Sequence, residues 1–195
     1  MIYATMNQWI VLLAKNWVEL VGVIFTLIMF PLVVARKWTA WIISIISSLF
    51  YGYINFSKNL YALAAFCFCN VVLSFYGLYC WKFAKSNQNL LFRFITKSLL
   101  LKLILTGIAI GLVITFSLKF VDGSNPLDPL ITTLNVIAAW MTARKIIESW
   151  FLWLISDVLL FALYSYKEMY PSAFLYVIFT VFSIFGYISW RKQAM

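Results

Sequence analysis

Apolar residues run along this chain in long blocks separated by short polar gaps. A helix that crosses a bilayer needs about 20 mainly apolar residues. Seven blocks meet that need: Trp17–Ala35, Thr39–Phe56, Leu60–Trp81, Ser98–Leu118, Leu127–Ala143, Ile146–Tyr166 and Met169–Trp190. The segment ahead of Trp17 is apolar but short, and Lys15 interrupts it, which predicts an interfacial helix rather than an eighth span. The longest polar stretches, Lys82–Lys97 and Lys119–Pro126, are too small for a soluble domain. The pattern predicts an all-α polytopic membrane protein of seven transmembrane helices, folded as one domain over residues 1–195.

Composition agrees. The chain is 65% hydrophobic and 11% charged, whereas soluble domains are nearer half apolar and a quarter charged. The net charge of +9 does not point to nucleic acid, because the basic residues sit in short clusters between the apolar blocks. Their distribution gives an orientation instead. Arg36, Lys37, Lys82, Lys85, Arg93, Lys97, Lys102, Arg144, Lys145, Arg191 and Lys192 fall on one side, against Lys15, Lys58, Lys119 and Lys167 on the other. The larger group marks the cytoplasm, so the N-terminus is expected outside and the C-terminus inside. Lys102 is expected to snorkel to the cytoplasmic surface. Trp17, Trp38, Trp81 and Trp190 stand at span ends and read as an interfacial aromatic belt. The N-terminus has neither a basic n-region nor a small-residue cleavage site, so no signal peptide is expected. The chain contains no histidine, which removes the usual general base and every zinc motif. Cys67, Cys69 and Cys80 lie in one apolar stretch and imply no disulfide framework. No cofactor is expected.

An internal repeat organises the blocks. A shift of 109 positions pairs Trp41 with Trp150, Ser47 with Ser156, Lys58 with Lys167 and Tyr61 with Tyr170. It also pairs Ala64 with Ala173, Ser74 with Ser183, Gly77 with Gly186, Trp81 with Trp190 and Lys82 with Arg191. Upstream, Ala35-Arg36-Lys37 matches Ala143-Arg144-Lys145 with the offset changed by one. Residues 17–81 and 127–190 are thus two three-helix repeats, and the helix at 98–118 between them is an inversion linker. Such a 3+1+3 plan keeps both repeats in one orientation, the parallel-repeat design of SWEET sugar carriers.

Carriers of repeat design bind substrate near the midplane where the repeats meet. Asp157 is the one acid near the middle of a span, and a central Asp costs roughly 2.5–3.5 kcal/mol on insertion scales. Glu19 and Glu148 lie nearer helix ends and are expected to be hydrated. Trp150, Trp153 and Asp157 sit at i, i+3 and i+7 and share a helix face, with Tyr164 a heptad beyond. Two indoles and a carboxylate on one face suit a flat, cationic, aromatic ligand, by stacking and cation–π attraction. Packing is the competing reading, evenly matched for Trp150 taken alone. Other midplane polar groups are placed to converge there. They are Asn70 and Cys67 with Ser74 on the third span, a Ser44, Ser48, Tyr51 and Asn55 stripe on the second, and Asn135 and Thr132 on the fifth. The repeat makes Ser44 the partner of Trp153 and Ser48 the partner of Asp157. The expected substrate site comprises Trp150, Trp153, Asp157, Asn70, Cys67, Asn135, Tyr51 and Ser48. Interhelical hydrogen bonding, worth under about 1 kcal/mol per bond, is the plainer role for the serines.

The run from Ala143-Arg144-Lys145 through Glu148-Ser149-Trp150-Phe151-Leu152-Trp153 to Asp157 resembles the W-x-x-W signature of the Pnu vitamin transporters. Leu60-Tyr61, Ser74-Phe75-Tyr76-Gly77, Gly186-Tyr187 and Trp190 resemble it too, and the likeness runs from Asn16-Trp17-Val18-Glu19 to Arg191-Lys192. The resemblance implies a SWEET-like fold of seven helices in the bacterial inner membrane. It also implies facilitated diffusion of a vitamin that a cytoplasmic kinase then traps by phosphorylation. Members of the family carry nicotinamide riboside or thiamine. The nicotinamide riboside carriers have Asn where this chain has Asp157 and Gln at Cys67. An amide both donates to and accepts from a carboxamide, while a carboxylate only accepts. The amino-pyrimidine and thiazolium of thiamine suit a carboxylate, so the substrate expectation leans to thiamine over nicotinamide riboside.

Other classes fare worse. No carboxylate pair, H-E-x-x-H or G-x-S-x-G supports a membrane enzyme, and nothing resembles a channel filter. A vitamin-binding subunit of a larger pump shares the composition, but the parallel repeat favours a complete carrier. Oligomeric state is left open by the sequence, a homo-oligomer included.

Overall fold

The computed structural model describes residues 17–83, 92–121 and 125–194. The interfacial helix expected before Trp17 lies outside the described residues, as do Lys15 and Lys85. Seven long helices are described: α1 (Trp17–Val34), α2 (Thr39–Ser57), α3 (Tyr61–Leu78), α4 (Lys97–Leu118), α5 (Asp128–Ala143), α6 (Ser149–Tyr166) and α7 (Tyr170–Ala194). A π-helical turn, Tyr79–Phe83, extends α3. All except α5 are long and apolar enough to cross a membrane. The 16-residue α5 rises about 24 Å at 1.5 Å per residue, a little short of a typical hydrocarbon core. It is also among the most buried helices, so it meets protein rather than lipid along most of its length.

Two boundaries differ from the sequence expectation by more than two residues. The sixth span begins at Ser149 rather than Ile146, because Ile146 pairs with Arg93 in a short parallel bridge. There Arg93 N–H donates to the Lys145 carbonyl at 3.1 Å and Ile147 N–H donates to the Arg93 carbonyl at 3.1 Å. The last helix runs past Trp190 to Ala194.

Packing sorts the helices into two bundles. Helix α2 packs between α1 and α3, and α6 packs on α5 and α7. The bundles meet where α1 touches α7 and α3 touches α5. Helix α4 lies outside both, leaning mainly on α5, with Gly107 its one buried residue. This is the expected 3+1+3 arrangement.

The repeat recurs contact by contact at one offset of 109. Thr26 bonds Ser47 in the first bundle, and Asn135 bonds Ser156 in the second. Trp41 and Trp81 meet edge to face at 5.3 Å, and Trp150 and Trp190 do so at 5.2 Å. A Cβ on Gly77 would stand 2.4 Å from the Trp41 ring, and one on Gly186 2.6 Å from the Trp150 ring, so both positions admit only glycine without a shift. The turns match as well. Arg36 and Lys145 take left-handed φ of 56°, and Asn59 and Glu168 take 58° and 59°. Each opens a Schellman-type close, with Lys37 N–H to Leu32, Leu60 to Asn55, Ile146 to Met141 and Met169 to Tyr164. Arg36 therefore corresponds to Lys145, not to Arg144. The shared Ala-Arg-Lys run is a local likeness out of register by one, and the offset does not change.

Contacts between bundles are reciprocal. Trp81 Nε1 donates to the Ala143 carbonyl at 3.1 Å, and Trp190 Nε1 donates to the Val34 carbonyl at 3.3 Å. Leu63 N–H donates to Asp128 at 2.8 Å, and Ser172 N–H donates to Glu19 at 2.9 Å. Residues that touch their own repeat mates mark the pseudo-two-fold axis. They are Lys58 with the Lys167 carbonyl and Asn55 with Tyr164 at one end, and Trp81 with Trp190 at the other. The expected aromatic belt is accordingly wrong for two members. Trp190 is 0% exposed, and Trp81 is half-buried against it, whereas Trp17 and Trp38 are exposed.

Candidate substrate-binding cavity

A cavity of about 140 Å³ opens on the axis between the Asn55–Tyr164 and Trp81–Trp190 pairs, where the two bundles face each other. One water needs roughly 10–15 Å³ on that scale, so the space admits part of an organic solute without any movement. All eight expected site residues line it: Ser48 and Tyr51 from α2, Cys67 and Asn70 from α3, Asn135 from α5, and Trp150, Trp153 and Asp157 from α6.

Asp157 is buried, and Ser183 Oγ donates to its Oδ2 at 2.8 Å, the one hydrogen bond it receives among the described residues. A carboxylate has roughly four acceptor positions, so most of its capacity faces the cavity side unmet. Trp153 is half-buried, and its Nε1 donates to Thr142 Oγ1 at 2.9 Å, which fixes the indole plane beside the cavity. Trp150 has a different setting. It is 2% exposed and wedged against Gly186, with Phe30 at 5.5 Å and Trp190 at 5.2 Å. It is a packed end wall, not one side of an open cage with Trp153. Its indole N–H and that of its mate Trp41 are buried without a hydrogen-bond partner among the described residues.

The polar groups of the first repeat form a connected wall. Asn70 Nδ2 lies 3.1 Å from Ser44 Oγ and 2.9 Å from Ser48 Oγ, and Ser74 donates to Ser44 at 3.0 Å. The amide oxygen of Asn70 is left to accept from a solute. Tyr51 and Ser172 hydroxyls stand 3.3 Å apart, and the Tyr51 ring stacks with Tyr164 at 6.5 Å. Asn55 receives the Tyr164 hydroxyl at 3.0 Å and offers Nδ2 to Cys67 Sγ at 3.8 Å. Cys67 thus sits toward the Asn55 end and away from the tryptophans. Thr132 does not line the cavity; its hydroxyl donates to Asp128 at 3.5 Å, near the start of α5.

Sequence reasoning missed the apolar half of the lining, including Phe30, Phe66, Tyr176 and Phe179. No polar signal flags such residues, but the repeat offered one: Tyr176 and Phe179 are the mates of Cys67 and Asn70. It also misread Glu19 and Glu148 as hydrated ends. Glu19 is buried on the α7 N-terminus, and Glu148 is half-buried and accepts from Ile95 N–H at 3.0 Å.

A solute cavity on a pseudo-two-fold axis, enclosed by two parallel three-helix repeats, defines a membrane carrier of repeat design. The sequence model of the nicotinamide mononucleotide transporter family matches residues 16–192, and the chain belongs to that family. Among curated relatives, the nicotinamide riboside transporter PnuC of Escherichia coli (strain K12) is 23% identical over 208 residues, covering 92% of this chain and 87% of the relative. The same-named protein of Shigella flexneri matches to the same extent. Among solved structures, a crystal structure of the vitamin B3 transporter PnuC superposes with a TM-score of 0.81 at 18% identity. The match covers 98% of this chain and 87% of that one, and establishes a shared fold. The protein is a membrane transporter and not an enzyme.

Proposed function

We propose that the protein takes up nicotinamide riboside across the bacterial inner membrane by facilitated diffusion. The observation that carries the reading of a flat cationic vitamin is Asp157, a buried carboxylate in the cavity wall, with Trp153 one turn away on the same helix. It suits thiamine as well, and the relatives favour nicotinamide riboside. Nicotinamide riboside is a flat pyridinium cation with a carboxamide and a ribose. The carboxylate answers the positive ring, Trp153 offers it a stacking face, and the Asn70 oxygen accepts from amide or hydroxyl. The named relatives carry nicotinamide riboside, which supports this substrate over thiamine. The lean to thiamine rested on two side chains, Asp157 and Cys67, that lack an amide. Of these, Cys67 lies by Asn55 at the far end of the cavity, where it discriminates little between the two ring systems.

The orientation proposed from basic residues places the N-terminus outside, so that the Lys58–Lys167 end faces the exterior. A cytoplasmic kinase acting on the arriving vitamin would keep uptake running downhill. Two measurements test the reading. Purified protein titrated with nicotinamide riboside and thiamine side by side should bind the former more tightly. Liposomes containing only this protein should exchange labelled nicotinamide riboside without an ion gradient. Tight binding of thiamine alone would overturn the substrate, and accumulation driven by an imposed pH step would overturn uncoupled transport.

A further inference from the structure

We propose that Glu19 and Asp128 together form a gate of the transport cycle at the end of the molecule that carries Lys58 and Lys167. The proposal rests on the carrier reading above but not on which vitamin is carried.

The two acids are repeat mates, and each reaches across to the other bundle. Glu19, at the start of α1, accepts the Ser172 N–H at 2.9 Å in the first turn of α7. Asp128, at the start of α5, accepts the Ala62 and Leu63 N–H groups at 2.9 and 2.8 Å in the first turn of α3. Both carboxylates are buried, at 7% and 0% exposure. They flank the axis at the level where Asn55 meets Tyr164 and Tyr51 meets Ser172, so these contacts together stand between that end and the cavity. Ser172 belongs to both sets, which couples one carboxylate directly to the cavity wall.

The chemistry suits a contact that is made and broken. The first N–H groups of a helix have no partner within it and take water when exposed. A carboxylate is equally well hydrated. Opening therefore trades each protein bond for water bonds on both partners, and little is left unsatisfied in the open form. The other end is built differently. There the reciprocal contacts are indole N–H to carbonyl, set in a cluster of Trp81, Trp190, Trp150 and Phe92, whose separation exposes apolar rings. The left-handed residues Asn59 and Glu168 lie two positions ahead of the first residues of α3 and α7, where a small backbone change would swing the helix starts away from their carboxylates.

Cys67 supplies the probe, because it is buried in the cavity on the Asn55 side. In a Cys69→Ala, Cys80→Ala background it is the single thiol, and a membrane-impermeant methanethiosulfonate is applied to either face of sealed vesicles. Glu19→Gln and Asp128→Asn should each raise labelling from the Lys58–Lys167 face at least about fivefold, and the pair should raise it further, as the open population grows. Labelling from the opposite face should not rise. An unchanged rate in the double variant, or an equal rise from both faces, overturns the gate. A second experiment holds the contact shut. Glu19→Cys with Ser172→Cys, in a background cleared of the native cysteines, is bridged by a short bis-methanethiosulfonate, which joins the two thiols through disulfides and releases methanesulfinate. Uptake of labelled nicotinamide riboside should stop on bridging and return on reduction, and undiminished uptake through the bridged protein overturns the proposal. If the unmodified protein carries no nicotinamide riboside while the labelling asymmetry appears, the substrate assignment fails and the gate stands.

Discussion

Replacing Gly186 by alanine tests the packing that holds the cavity's end wall. A Cβ there would lie 2.6 Å from three atoms of the Trp150 ring, where ordinary contact begins at 3.4 Å. Either α7 retreats or the indole moves by nearly an ångström. The ring has little freedom, since Phe30 and Trp190 close on it at 5.5 and 5.2 Å. Forcing a methyl into such a site costs about 1–3 kcal/mol. Alanine also regains up to about 1 kcal/mol of helix propensity over glycine, so the useful quantity is a difference between two glycines. Gly52 is the control, because its added Cβ meets only Cys67 Cβ at 3.4 Å. Gly186→Ala should therefore be about 1–3 kcal/mol less stable than Gly52→Ala in detergent unfolding. Its uptake should fall at least about tenfold as the wall shifts, since misplacement by an ångström costs orders of magnitude where positioning matters. Gly77→Ala, whose Cβ would meet Trp41 at 2.4 Å, should behave like Gly186→Ala. Equal melting and equal uptake of the Gly186 and Gly52 variants would refute the reasoning.

Trp153→Ala should weaken nicotinamide riboside binding at least about tenfold, by removing a stacking face for a desolvated cation; an unchanged Kd in titration would move the ring elsewhere. Asp157→Asn keeps an oxygen for Ser183 and removes the charge without supplying the second amide that Cys67 lacks, so affinity for the cation should drop about tenfold while protein yield holds or improves. A full-affinity Asn variant would detach the pyridinium from this residue. Trp190→Ala should destabilise the fold by about 3–5 kcal/mol, as expected for a large buried aromatic, whereas Trp17→Ala should leave melting unchanged. Equal melting of those two variants would restore Trp190 to the membrane interface.

The fold was legible because a bilayer leaves few solutions: apolar blocks of spanning length must be helices, and the repeat fixes how they group. Six of the eight expected cavity residues were legible for a related reason, and the two tryptophans from the helix face they share with Asp157. A polar side chain in mid-span is costly unless it has work or a partner, so its presence is itself a signal. What stayed hidden was whatever depends on the third dimension at helix ends. Glu19 reads as a hydrated helix-end acid and Asp128 carries no signal, and only the crossing of the bundles brings foreign helix N-termini onto them. Trp81 and Trp190 look interfacial by position, yet the axis passes between them. The Ala-Arg-Lys run misled by identity, because the turn demands a left-handed residue at position 36 and at position 145, whatever its side chain.

Comparing the two repeats position by position separates scaffold from recognition. Near the ends of the axis most mates are alike in kind: Trp41 with Trp150, Gly77 with Gly186, Trp81 with Trp190 and Glu19 with Asp128, with Asn55 and Tyr164 the exception. At four other pairs around the cavity they differ in kind. Ser44 faces Trp153 as its mate, Ser48 faces Asp157, Cys67 faces Tyr176 and Asn70 faces Phe179, and all eight line the same space. At these four pairs the first repeat contributes small polar groups and the second contributes rings and one charge, while elsewhere the first repeat also lends Phe30, Trp41 and Phe66 and the second Asn135 and Ser183. A two-fold cavity suits a ligand with two equivalent halves. At these positions this one is polar on one side and aromatic and anionic on the other, which suits a molecule with a hydroxylated end and a flat cationic end. On the proposed reading the symmetry serves movement, in which both repeats share one mechanics, and the departures from it serve binding. Mutations that exchange mates at the ends, such as Glu19→Asp with Asp128→Glu, should therefore preserve uptake, while exchanging Ser48 and Asp157 should abolish it with the fold intact. If the cavity exchange were tolerated as well as the end exchange in a liposome uptake assay, the division between scaffold and recognition would be wrong.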